Sequence, residues 1–206
     1  MSYRLYTDTL SRIGQQIAAG EAPPQLLLHS CCGPCSTSVI TMLTGFFRLT
    51  VFYYNPNTEP FEEYELRKQE QIRFLDALPP EIRPAFIEGP YDNAQFHARA
   101  TPLALEKEGG SRCIECISLR LEHTAMKAKE LSIPWFTSTL SVSPHKNAQA
   151  INRIGTALSD PPLLSWLYSD FKKNDGYKKS VELSREYNLY RQEYCGCLYS
   201  RRPTEE

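Results

Sequence analysis

Two kinds of run recur along the chain: short unbroken apolar stretches bounded by turn formers, and longer stretches in which apolar residues return every three or four positions. Residues 25–29 (QLLLH) lie between Pro23-Pro24 and a Cys-Cys-Gly turn, which predicts a buried strand. Residues 36–43 then predict a helix. Gly33 permits the reversal, Pro34 suits the first helical turn and Gly45 is placed to end it. Residues 49–54 (LTVFYY) predict a second strand, the turn NPNTEP follows, and residues 61–78 predict a charged amphipathic helix. Residues 85–88 predict a weaker third strand.

Ile114, Ile117, Leu121, Ala125, Ala128 and Leu131 recur at spacings of three and four, the signature of a helix with one apolar stripe. Residues 134–140 (PWFTSTL) predict a fourth strand. Ser143-Pro144 then offers a cap and first turn for a helix through residue 158. A polar helix precedes all of this. Strands alternating with helices argue for an α/β fold built on a parallel sheet. The chain reads as a single α/β domain, with a sheet core over residues 25–160. Residues 161–206 show no clear strand and are expected to form a C-terminal helical region.

Ligands of such sheets bind outside the carboxyl ends of the strands. Residues 31–35, 55–57 and 141–146 follow the first, second and fourth strands, so these loops are expected to face one crevice. The C-terminal region is expected to fold back over it.

Length and composition exclude several classes. A chain of 206 residues can bury roughly 70% of its unfolded surface without a disulfide scaffold. The opening run MSYRLYTDTLSRIGQQ holds no apolar signal core and no stretch approaches a membrane span, so a soluble, cytoplasmic protein with no membrane partner is expected. The formal net charge of −1 announces no polyanion partner. Its distribution does more, because residues 171–202 carry a local +4 and the remainder −5. A nucleic acid would meet the C-terminal third; a solvated helical face reads equally well.

The seven cysteines fall in three groups: Cys31, Cys32 and Cys35 in HSCCGPC, Cys113 and Cys116 in RCIEC, and Cys195 and Cys197 in YCGC. In a reducing compartment such clusters are metal ligands or redox catalysts more often than bridges. Cys31 and Cys32 can serve one site only if the chain has already left the strand, which Gly33-Pro34 favours. The helix that follows stabilises thiolate near its N-terminus, at Cys35 as well. Cys113 and Cys116, three apart, share one helix face. Joined to Cys31 and Cys32 they supply four thiolates, enough for a [4Fe-4S] cluster or a tetrahedral zinc. A Cys195–Cys197 bond would close a small strained ring, which suits an electron or thiol relay, and the pair could equally bind a second metal.

Other residues are less specific. His29 in the first strand reads as structural, while His145 with Lys146 could contact phosphate. The stretch DFKKNDGYKKS carries Asp170, Lys172, Lys173, Asp175, Tyr177 and Lys178. Interleaved cations and aromatics suit RNA contact, and a solvated loop suits them as well.

Taken together, LLLHSCCGPCS, FYYNPNTEP, RCIECISLRLEHTA, FTSTLSVSPHKN, DFKKNDGYKKSVELS and YRQEYCGCLYS resemble, in order, the QueH-type epoxyqueuosine reductases. The resemblance implies reduction of the epoxide of epoxyqueuosine at the wobble position of a tRNA, the last step of queuosine synthesis. It also implies a three-layer fold related to adenine-nucleotide α-hydrolases (HUP-like), an external electron donor, a [4Fe-4S] cluster and room for one additional metal ion. Cys31, Cys32, Cys113 and Cys116 would be cluster ligands, and Cys195 and Cys197 the redox-active pair. CCGPCS stands where the hydrolases hold a phosphate loop but lacks their SGGxDS pattern, so ATP use is not expected. Asp170, Tyr177 and His145 are candidate acids for the leaving oxygen. Two rival classes remain at this point: a zinc-binding RNA module without redox activity, and a thiol-disulfide oxidoreductase acting on proteins.

Overall fold

The computed structural model describes residues 2–201. Its centre is strand β1 (Gln25–Ser30), flanked by β2 (Arg48–Tyr53) and β4 (Trp135–Ser138), with β3 (Ala85–Glu88) beyond β2 and β5 (Ser165–Trp166) beyond β4. All pairings are parallel. The order β3-β2-β1-β4-β5 reverses direction at β1, so the loops after β1 and β4 part and leave a crevice between them.

Helices cover both faces. Because side chains alternate along a strand, Leu26 and Leu28 enter one core and Leu27 the other. The first core packs β1 and β2 against α1 (Ser2–Ala18), α2 (Gly33–Leu43) and α3 (Phe61–Asp76) through Leu10, Ile13, Val39, Ile40, Phe74 and Leu75. Tyr6, Leu10 and Ile13 recur at helical spacing, which is why a polar helix can still dock. The second core packs Leu27, Phe52 and Phe136 against α4 (Asn93–Ala100), α5 (Ser111–Glu130) and α6 (Ala148–Ala157), including Ile117, Leu121, Ala125 and Ile151. Helix α7 (Gly176–Glu186) buries Gly176, Ser180 and Ser184; the last two are small residues that let it lie close on α2.

The predicted α/β architecture stands, with local differences. Helix α2 begins at Gly33 rather than residue 36, because Cys32 is already the extended N-cap and Pro34 fits the first turn. Helix α6 begins at Ala148 rather than Ser143-Pro144. Asn147 Oδ1 accepts from the Gln149 and Ala150 amides at 3.0 and 3.1 Å, and Ser143 caps a separate turn by accepting from the His145 amide. A strand, β5, lies beyond Asp160 where none was expected. The apolar stripe of α5 stops before Leu131, which is 38% exposed past the helix end. Helix α4, not foreseen, starts where Asp92 Oδ1 accepts from the Gln95 amide at 3.1 Å.

Candidate active site

Strand β1 ends at Ser30, so Cys31 and Cys32 fall in the turn into α2 rather than on opposite faces of a strand. The Sγ atoms of Cys31, Cys32 and Cys35 all lie within 4.8 Å of one another, with Cys31 and Cys32 at 3.9 Å. Gly33 makes this turn possible against α3, since a Cβ there would stand 3.1 Å from the Glu70 carbonyl oxygen. Thr139, at the end of β4, fixes Cys31 from the other side. Its Oγ1 accepts from the Cys31 amide at 3.2 Å and donates to Cys31 Sγ at 3.4 Å.

Crowding divides the three thiols. Hydrogen bonds from Cys32 and Cys35 hold the Cys31 thiol well below its usual range, helped by Thr139 and the charge of Arg120. Donating to that thiolate pushes Cys32 up to about 12 and Cys35 well above the ordinary thiol value, with burial adding to both. One negative charge is thus shared among three sulfurs. Further ionisation needs a cation between them, and a sulfur-only donor set suits a thiophilic metal ion. The residues therefore fit a metal.

The other four cysteines line a narrow cleft next to this group. Cys113 and Cys116 occupy the first turns of α5, and Cys113 Sγ accepts from the Gly109 amide at 3.2 Å. Burial raises the Cys116 and Cys197 thiols. All seven cysteines are free thiols. Lys146 and Cys195 line both this cleft and the larger cavity beside Cys31, and Lys146 Nζ donates to Cys195 Sγ at 2.9 Å. Burial, and less strongly Arg120, oppose the Lys146 charge, but Cys195 and Cys116 together outweigh them and raise the ammonium above its ordinary value. Arg120, one turn beyond Cys116 on α5, is buried, and Cys116, Cys195, Cys31 and Cys197 overcome that burial and raise it further.

Residues 187–200 form a strap that delivers the CGC pair. Arg73 donates to the Tyr187 and Asn188 carbonyls at 2.9 and 2.7 Å, and the Tyr190 amide donates to Glu70 Oε2 at 2.7 Å. Gln192 Nε2 donates to Cys32 Sγ at 3.0 Å, so the strap closes over the thiol group. Arg67, paired with Glu63 at 2.7 Å, donates to the Tyr194 and Cys195 carbonyls and lies 5.0 Å from the Tyr194 ring centre. Gly196 has φ +122 and accepts from the Glu59 amide at 2.9 Å.

The larger cavity, about 480 Å³, is lined by Cys31, Cys35 and Cys195 together with Arg67, Arg120, Lys146 and Arg191, against Glu108 and Glu193. Two of the three expected loops line it; residues 55–57 stand behind, where Asn55 donates to the Ser30 carbonyl and accepts from Arg120. His145 and Tyr177 line the cavity. Asp170 does not: its carboxylate pairs with Lys172 at 2.9 Å and lines neither cavity. His29 is structural, as read. Its Nε2 donates to the Tyr54 carbonyl, its Nδ1 accepts from Ser138 Oγ, and burial followed by Arg120 pushes it down to about 3. Arg67, Arg120, Thr139 and Gln192 were missed. For Arg120 the one available signal is its position four residues after Cys116.

A family model described as epoxyqueuosine reductase QueH matches residues 26–203. Curated relatives bear the same description. The chain is 41% identical over 179 residues to the protein of Streptococcus pyogenes serotype M1, covering 86% of this chain and 70% of that one. It is 38% identical over 199 residues to that of Staphylococcus epidermidis, covering 95% and 84%. It is 33% identical over 181 residues to that of Thermotoga maritima, covering 85% and 89%. With nearly the whole chain matched and the cysteine-bearing segments inside the match, this protein belongs to the QueH family of epoxyqueuosine reductases.

Proposed function

We propose that this chain reduces epoxyqueuosine, carried at the wobble position of a tRNA anticodon, to queuosine in the cytoplasm. The reaction takes up two electrons and two protons, breaks both C–O bonds of the epoxide, forms the ring double bond and releases water. The observation that carries this reading is the meeting of three cysteine segments at two adjoining cavities that share Cys195 and Lys146.

In this reading Cys31, Cys32, Cys113 and Cys116 hold a [4Fe-4S] cluster, and Cys35, close to Cys31 and Cys32, is available to an additional metal ion. When bound, the cluster supplies single electrons received from an external donor. The chain's own residues do the rest. Arg67, Arg120, Lys146 and Arg191, set against Glu108 and Glu193, leave the cavity lining cationic on balance, which suits an anionic RNA substrate. Lys146 keeps Cys195 Sγ at the junction of the two cavities, where Cys195 and Cys197 can act as a two-electron thiol pair. Tyr177 and His145, on the cavity wall, are better placed than Asp170 to protonate the leaving oxygen. Among the described residues no helix is long and apolar enough to cross a membrane.

The test is anaerobic incubation of iron- and sulfide-reconstituted protein with epoxyqueuosine-bearing tRNA and dithionite, followed by nucleoside analysis. Queuosine should appear, from a brown protein absorbing broadly near ~400 nm. A colourless, zinc-loaded protein that yields no queuosine after iron reconstitution would sink the reading.

A further inference from the structure

Arg120 is 2% exposed, yet much of its hydrogen-bonding capacity is unused. Nη1 donates to Asn55 Oδ1 at 3.1 Å, while Nε and Nη2 have no partner among the described residues. Arg67, Arg73 and Arg99 each pair with a carboxylate, and buried Arg112, which has no such pair, donates instead to the Leu103, Ala104 and Glu106 carbonyls. Among the described residues Arg120 has no such pair. A guanidinium stays charged at any accessible pH, and an unmatched buried cation is costly. What surrounds it instead is sulfur. It projects from α5 on the face of Cys116 and lines the cavity with Cys31, Cys35 and Cys195. The groups whose charge acts on it most are Cys116, Cys195, Cys31 and Cys197, drawn from all three cysteine segments. Asn55, itself tied to the Ser30 carbonyl at 2.9 Å, keeps the guanidinium in place.

We propose that Arg120 is a positioning residue that sets the reduction potential of the metal–thiolate centre, its fixed cation and the three N–H bonds of Nε and Nη2 favouring the reduced, more negative state. This rests on the reading that the thiols hold an iron–sulfur centre. Reduction there adds one electron, moves no proton and breaks no bond in the protein. A cation beside the sulfurs, with N–H bonds not engaged elsewhere, stabilises the added charge and raises the potential.

The experiment compares full-length, anaerobically reconstituted wild type with Arg120→Met, Arg120→Lys and Asn55→Ala. It reads iron and sulfide per chain and the reduced-to-oxidised ratio at the wild-type midpoint in a mediated dithionite titration. In Arg120→Met the ratio should fall about tenfold, a shift of 59 mV to more negative potential for a one-electron couple. Arg120→Lys, which keeps the charge, should recover part of that. Asn55→Ala should move the same way by less. If Arg120→Met fails to fold or load iron, the other two decide: a ratio below wild type in both supports the inference, and wild-type ratios in both overturn it. An Arg120→Met protein that holds iron and titrates at the wild-type midpoint also overturns it, as does one that loses stability alone. Failure of the parent reading looks different, because then the wild type itself takes up no iron–sulfur centre.

Discussion

Replacing Gly196 by Ala tests whether the strap's geometry controls the site. At φ +122 the residue lies outside the regions open to L side chains, including the left-handed one near +60°. Holding Ala there costs about 1–3 kcal/mol. Space adds to the penalty: the new Cβ would stand 2.9 Å from Arg67 Nη1 and 3.1 Å from Thr58 Oγ1. Arg67 cannot retreat freely. It is tied to Glu63, to the Tyr194 carbonyl and to the Cys195 carbonyl, and losing one such charged hydrogen bond costs roughly 1.5–3 kcal/mol. Together these effects should raise the free energy of the docked strap by about 3 kcal/mol, which is about two decades in its population. The strap is a local unit, so the melting temperature should fall little while local opening rises sharply. Hydrogen exchange of the Glu59 amide, which donates to the Gly196 carbonyl, reads that opening directly. Turnover should fall in parallel. Wild-type exchange at Glu59 together with wild-type turnover would refute the reasoning.

Other outcomes follow from the same geometry. Cys32→Ala and Cys116→Ala should lose the iron–sulfur absorbance, whereas Cys197→Ala should keep the colour and lose turnover; iron analysis and visible spectra check both. Asp170→Asn should leave turnover unchanged, since Asp170 lines neither cavity, while Tyr177→Phe should lower it by ~10² if Tyr177 is the acid. His29 links stability to pH. Its folded value of about 3 lies below the ordinary 6.5, so its contribution is complete above pH 6.5. As pH falls from there toward about 3 the unfolded chain takes up a proton the folded one refuses, with a slope of up to ~1.4 kcal/mol per pH unit. Urea titrations across that window should show the slope flattened in His29→Gln.

What could be read from the chain follows from how local the determinants are. Strand β1 is legible because three leucines stand between two prolines and a Cys-Cys-Gly turn, and burial on both faces leaves no alternation to confuse them. Strand β5 is not, because two residues carry no period. It is placed by contacts from afar: the Ser165 amide donates to the Pro134 carbonyl and Trp166 Nε1 to Asn152 Oδ1. Helix α6 shows the limit of cap reading, since Ser143 and Asn147 both suit the role and only packing chooses. The cysteines announce a site through their spacing, but the partners that tune it do not. Arg67 sits in a charged helix like any solvated arginine, and the Lys146–Cys195 contact joins residues 49 apart. Asp170 was drawn in by its basic neighbourhood, and one of those neighbours, Lys172, neutralises it instead.

The two margins of the sheet have a consequence for solution behaviour. Strand β3, four residues long, borders the six-residue β2, and β5, two residues long, borders β4, with its Trp166 amide already taken by Ser159 Oγ. A border that short gives a stray polypeptide too few amide and carbonyl groups to zip onto. Concentrated samples can therefore stay dispersed without a capping helix or a rim of lysines, and clumping, where it occurs, should trace to oxidised sulfur rather than to strand recruitment.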